Sequence, residues 1–101
     1  MGRTIISDDG CFEWDEEKAI VNRKKHGIHF EKAMLVFFDP KRIEFCDESH
    51  SIFEDWYITV GNASRNIVLL VVICSTEKNG RIRLISARRA SKIEEGLWYG
   101  R

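Results

Sequence analysis

The chain is short of proline, of paired cysteines, of long apolar runs and of net charge, and each shortage removes a class of protein. A single proline, Pro40, and no Gly/Ser-rich stretch leave no rigid or flexible linker to separate two domains. The three cysteines, Cys11, Cys46 and Cys74, are odd in number, widely spaced and without CxxC, which argues against a disulfide framework or a zinc knuckle. The longest apolar run, 67–74, has eight residues, far fewer than the ~20 that a membrane helix needs. The N-terminus meets Asp8 and Asp9 before any long apolar stretch, so no signal peptide is expected, and a reducing cytoplasm is the expected compartment. Sixteen basic side chains balance sixteen acidic ones, which argues against a protein that coats nucleic acid non-specifically.

What is present fits one domain over residues 1–101, with 44% hydrophobic and 32% charged residues, enough for one modest core and an open or shallow site. The charge is segmented. Residues 18–25 hold Lys18, Arg23, Lys24 and Lys25 without an acid. Residues 39–55 hold Asp39, Glu44, Asp47, Glu48, Glu54 and Asp55 against Lys41 and Arg42. Residues 81–101 hold six bases against Glu94 and Glu95. Each segment reads equally as a solvated face or as part of a local site for a polyanion or a basic partner.

The hydrophobic pattern predicts an α+β domain of order β-α-α-β-β-β-β-α. Residues 12–14 alternate and read as a small edge strand. Asp15 is an N-cap for a polar helix to about His26, where Gly27 supplies a left-handed stop and Ala19, Ile20 and Val21 provide a narrow apolar stripe. A second helix is predicted over 31–38, ended by Asp39-Pro40. Strands follow over 42–46, 56–60, 67–74 (apolar on both faces, hence central) and 81–87, with Asn79-Gly80 as a tight turn. Ser91-Lys92-Ile93-Glu94 is a capping box that opens a last helix. Sequential strands with short connections imply an antiparallel meander, with the two early helices on one face and the other face open.

Chemistry concentrates at two places. Period two puts Arg81, Arg83, Ile85 and Ala87 on one face of the last strand and Ile82, Leu84 and Ser86 on the other, with Arg88 and Arg89 at the strand end before a helix N-terminus. Planar guanidinium groups beside a helix N-terminus suit a phosphate. Salt bridges to the acidic segment are the plainer use of the same arginines. Lys24-Lys25-His26 close the first helix. His26 is a natural proton shuttle, although spacing alone favours a capping role. His29 and His50 are isolated and read as structural or surface residues, and no histidine pair has metal-ligand spacing, so neither a metal nor another cofactor is expected. Trp98 reads as packing of the last helix, and Tyr99 keeps a hydroxyl that could reach a phosphate.

Two stretches resemble the signatures of one known family. Phe12-Glu13-Trp14-Asp15, Lys18, Asn22, Lys25-His26-Gly27, Phe30 and Ala33 resemble the opening of the BrnT toxins (DUF497), and residues 80–92 with Glu94 resemble their close. The chain departs from the usual pattern at Glu54-Asp55-Trp56, where an arginine is common, and at Trp98, where a tyrosine is usual. The resemblance implies a RelE-like fold and a bacterial type II toxin that cleaves RNA and arrests translation. It also implies a BrnA-like antitoxin that carries the contact to operator DNA, in a complex of two toxins and two antitoxins. For metal-free cleavage of RNA, Arg83 with Arg88 or Arg89 would clamp the phosphorane, Lys25 and His26 would move protons, and Arg81, Lys24 and Tyr99 would bind RNA. The alternative is a non-catalytic module that grips an acidic antitoxin helix and acts in operon autoregulation. A DNA-binding domain acting alone is disfavoured by zero net charge and the lack of a recognition helix.

Overall fold

A computed structural model describes residues 2–46 and 55–100, so His50 and the acidic residues Asp47, Glu48 and Glu54 lie outside the described residues. Its elements are β1 (Thr4–Ile6), β2 (Phe12–Asp15), α1 (Glu16–His26), α2 (Phe30–Ala33), a 3-10 segment (Met34–Phe38), β3 (Ile43–Cys46), β4 (Trp56–Asn62), β5 (Leu69–Thr76), β6 (Ile82–Arg89) and α3 (Lys92–Tyr99). The strands form one sheet in the order β1-β2-β6-β5-β4-β3. The β3-β4-β5-β6 meander is antiparallel throughout, as expected from its short connections, and β5 is buried along most of its length at the centre.

Two expectations need correction at the N-terminus. Residues 12–14 are not an edge strand. β2 is buried, pairs parallel to β6, and is flanked by a strand absent from the predicted order, β1. A short turn joins β1 to β2, with Gly10 at φ 74° and the Asp9 carboxylate accepting from the Ser7 hydroxyl at 2.6 Å and the Cys11 N–H at 2.9 Å. Thr4-Ile5-Ile6 is only three residues long, too short for alternation to register in the sequence.

Helix α1 begins and ends as its caps dictate. Asp15 accepts from Glu17 N–H, and Gly27 sits at φ 71° with its N–H on Arg23 C=O. Of the predicted apolar stripe only Ala19 packs against the core, however. Val21 is 60% exposed and Ile20 39%, whereas Asn22 is buried. The Asn22 amide donates to the carbonyls of Ile28 and Ala87, both at 3.0 Å, and its oxygen accepts from Ala87 N–H at 3.0 Å. β2 ends its pairing with β6 at Leu84, so Asn22 takes over the open edge of β6 beyond that point. α1 is thus held by backbone mimicry together with Ala19, the one residue of the stripe that packs on the core.

The predicted helix over 31–38 divides into α2 and the 3-10 segment. Its buried residues, Phe30, Ala33 and Val36, recur every third position, which matches 3.0 residues per turn better than 3.6. They cover one face of the sheet, where Phe12, Trp14, Leu70, Val72, Cys74, Leu84 and Ala87 complete the main core. Cys74 is the small buried hydrophobe expected, and burial pushes its thiol up to about 11. The opposite face carries a smaller cluster of Val60, Leu69, Val71 and Trp98 under α3, and is open beyond it. Among the described residues no helix is long and apolar enough to cross a membrane.

Candidate functional site on the open face of the sheet

Strand β6 sets the site, and it does so through a β-bulge. Ile73 pairs with Ser86 and Cys74 with Leu84, so Ile85 has no partner on β5. An extra residue in one strand shifts the side-chain alternation by one place and re-aims the side chains beyond it. The uninterrupted period-two assignment is therefore corrected past Leu84. Ala87 turns into the core beside Leu84, and Ser86 turns out to the open face with Arg83 and Ile85.

Two adjoining grooves lie on that face. One, of about 480 Å³, is lined by Lys18, Val21, Asn22, Lys25 and His26 from α1 and by Ile85 and Ser86 from β6. The other, of about 580 Å³, is lined by Arg83 and Ile85 from β6, Ser75 and Thr76 from β5, Asp55 and Trp56 at the start of β4, and Lys18. Asp15, Lys18 and Ile85 line both, so the bulge residue sits where the grooves meet. The structure thereby brings Lys25, His26 and Arg83 to adjoining grooves, although His26 and Arg83 are 57 positions apart in the sequence.

Arg83 is oriented from beneath. Glu13, directly across on β2 and 7% exposed, accepts from Arg83 Nη1 at 2.5 Å and lies 3.9 Å from Arg81 Nη1. A buried carboxylate flanked by two guanidinium groups is compensated, and it fixes the direction of the fork. Arg81 also donates to Gly10 C=O at 3.1 Å, which ties it to the β1–β2 turn.

The remaining predicted site residues lie elsewhere. Arg88 is on the face that carries α3, in a two-pronged pair with Glu94, both contacts at 2.8 Å. This pair holds the Glu94 carboxyl down at about 2. Arg89, paired in register with the core residue Leu70, falls toward the packed face at the strand end and is exposed. Lys24 is exposed in the last turn of α1. Tyr99 is 59% exposed, with its ring edge-on to Trp98 at 5.0 Å. Trp98 itself is a packing residue, as expected: it is 4% exposed, donates to Asp39 Oδ2 at 2.8 Å and lies 4.3 Å beneath the Lys41 ammonium.

Sequence reasoning missed Glu13, Lys18, Trp56 and Ser75 as neighbours of the site. Glu13 carried the one available signal, an acid placed between Phe12 and Trp14 in an apolar strand, which must find a cation if it is buried.

A family model described as "Ribonuclease toxin, BrnT, of type II toxin-antitoxin system" matches residues 14–94, a span that includes both grooves. Among solved structures, the crystal structure of the Brucella abortus ribonuclease toxin BrnT matches with a TM-score of 0.61 at 23% identity, over 78% of this chain and 94% of that one, a likeness of fold. No curated protein matches significantly. With most of its length inside the family model, and with the same fold as a crystallised member, the chain belongs to the BrnT family of ribonuclease toxins of type II toxin–antitoxin systems.

Proposed function

We propose that the chain cleaves RNA without a metal ion, by activating the 2′-OH of its substrate within the joined grooves, and that a BrnA-like antitoxin neutralises it. The observation that carries this reading is the placement of Lys25, His26 and Arg83 in adjoining grooves. Such cleavage needs a base for the 2′-OH, positive charge against the developing phosphorane and an acid for the 5′-oxygen. Lys25 and His26 are the proton-transfer groups, and Arg83, aimed by Glu13, is the clamp. Arg89, Arg81, Lys24 and Tyr99 serve RNA outside the centre, and Arg88 acts there only when Glu94 releases it. The sheet with helices ahead and one behind suits a RelE-like ribonuclease. Two toxins and two antitoxins would form the complex, with operator DNA held by the antitoxin.

The test is cleavage of single-stranded RNA by the purified chain in excess chelator. His26→Ala and Arg83→Ala should each lower the rate about 100-fold or more while the far-UV spectrum is kept. Cleavage that depends on added divalent cation, or that survives both substitutions, would overturn the proposal. One observation favours a second reading, in which arginines grip an acidic antitoxin helix without catalysis: Arg88 already holds a helical carboxylate, Glu94, in a two-pronged pair. Expression without the antitoxin separates the two, since a binding module would not arrest growth.

A further inference from the structure

Trp56 stands apart from the other tryptophans. Trp14 and Trp98 are 3% and 4% exposed and belong to the two cores. Trp56 opens β4, is only partly buried, and forms part of the wall of the wider groove opposite Ser75, with Arg83, Lys18 and Lys78 around it. An indole beside cations in the lining of a groove suits a nucleobase, because every base has a π-face to stack and the cations track its phosphates.

Cations and carboxylates line both grooves, so the aromatic ring gives the direction. The α1 groove offers Lys18, Lys25 and His26 with Asp15 and Glu17. Asp15 is committed to capping α1. The Trp56 end offers Arg83, Lys18 and Lys78 but also Asp55 and Glu77, the latter accepting from the Ser75 hydroxyl at 2.8 Å. Carboxylates repel a phosphate and accept from the amino groups of a base. Among the described residues Trp56 brings the one aromatic ring to the groove that Arg83 lines, so a base belongs on Trp56 and its neighbouring phosphate on Arg83.

We propose that Trp56 is the base-stacking residue of the RNA site, holding a nucleobase next to the phosphate that Arg83 grips. This rests on the ribonuclease reading for its ligand, but it is tested by binding alone. The probe is a single-stranded 2′-O-methyl oligoribonucleotide, which lacks the free 2′-OH and so stays intact on the full chain. Binding should quench tryptophan fluorescence, since the other two indoles are buried. Trp56→Ala should weaken binding about 5- to 150-fold, and Trp56→Phe should restore most of it. A series of probes with one abasic nucleotide adds the readout that a merely structural role would not move. At one position, loss of the base should weaken the wild type as much as Trp56→Ala does, and should cost that variant nothing further.

Equal affinity of Trp56→Ala and wild type, additive losses at every abasic position, or no binding by the wild type would overturn the inference. Trp56-dependent binding with no cleavage of unmodified RNA would uphold it while defeating the ribonuclease reading.

Discussion

The two faces of the sheet are built from the same strands and treated in opposite ways. One is sealed: Phe30, Ala33 and Val36 are fully buried against Leu70, Val72 and Leu84. The other is covered at one end by α3, which buries Trp98 and leaves Ile93 80% and Leu97 51% exposed, and beyond α3 it carries the grooves. A chain of 101 residues builds one modest core, and here it lies mainly on one face. The other face carries a smaller apolar cluster under α3 and the candidate site beyond it. The bulge at Ile85 serves both faces, because it turns Ala87 inward and leaves Ser86 beside the α1 residues.

The contrast is broken most directly by truncating its sealed side. Phe30→Ala removes a fully buried ring that stands edge-on to Trp14 at 5.9 Å, and should cost about 3–5 kcal/mol. Against a total of about 5–15 kcal/mol, that brings the protein close to unfolding. Leu97→Ala on α3 should cost no more than about 0.5 kcal/mol. Urea midpoints measured side by side decide the matter. Comparable losses for the two variants would mean that α3 is as deeply anchored as α2.

A smaller effect is expected at the seam between the faces. Asn22→Ala leaves the N–H and C=O of Ala87 and the C=O of Ile28 without their partner. The expected loss is about 2–3 kcal/mol, since unsatisfied buried polar groups cost more than the bond itself gained. Faster amide exchange at Ala87 would locate it. A variant with wild-type stability and exchange would show that α1 is held by other contacts.

Much of this was legible in the sequence and some was not, for reasons that differ by residue. Caps are local chemistry, so Asp15, Gly27 and the Ser91–Glu94 box behave as their types dictate. The central strand was legible because burial on both faces leaves one continuous apolar run. The role of Asn22 was hidden, since an asparagine in a polar helix looks solvated until a strand edge 65 residues away is placed beside it. The bulge was hidden for a related reason. Ile85 continues the apolar alternation of β6, and only its pairing with β5 reveals the extra residue. Arg83 was legible as a cation on an open face, but its aim depends on Glu13, 70 positions away. Local signals thus gave the elements and the types of group in the site, while the joining of α1 to β6 rested on contacts that no short window contains.

The smallest expected effect concerns how thinly α3 is fastened. Glu94 accepts both prongs of Arg88 and also the Ser91 N–H at 2.8 Å, and its carboxyl is held at about 2 against an ordinary 4.5, first by the Arg88 bond. A carboxyl depressed on folding binds its proton less readily in the folded state. Its contribution is therefore complete above about pH 4.5, declines as the pH falls toward about 2, and is gone once both states are protonated. Solvent screens a pair at this surface, so Glu94→Gln should cost less than about 1 kcal/mol at pH 7. The difference between wild type and variant should shrink steadily between those two pH values. Glu94→Gln also frees the Arg88 fork, so the same variant should bind single-stranded RNA more tightly at low salt if Arg88 then joins Arg83 on the open face. A stability gap that stays constant with pH would assign the effect to the capping box rather than to the ion pair. Unchanged affinity would leave Arg88 as a fastener of α3.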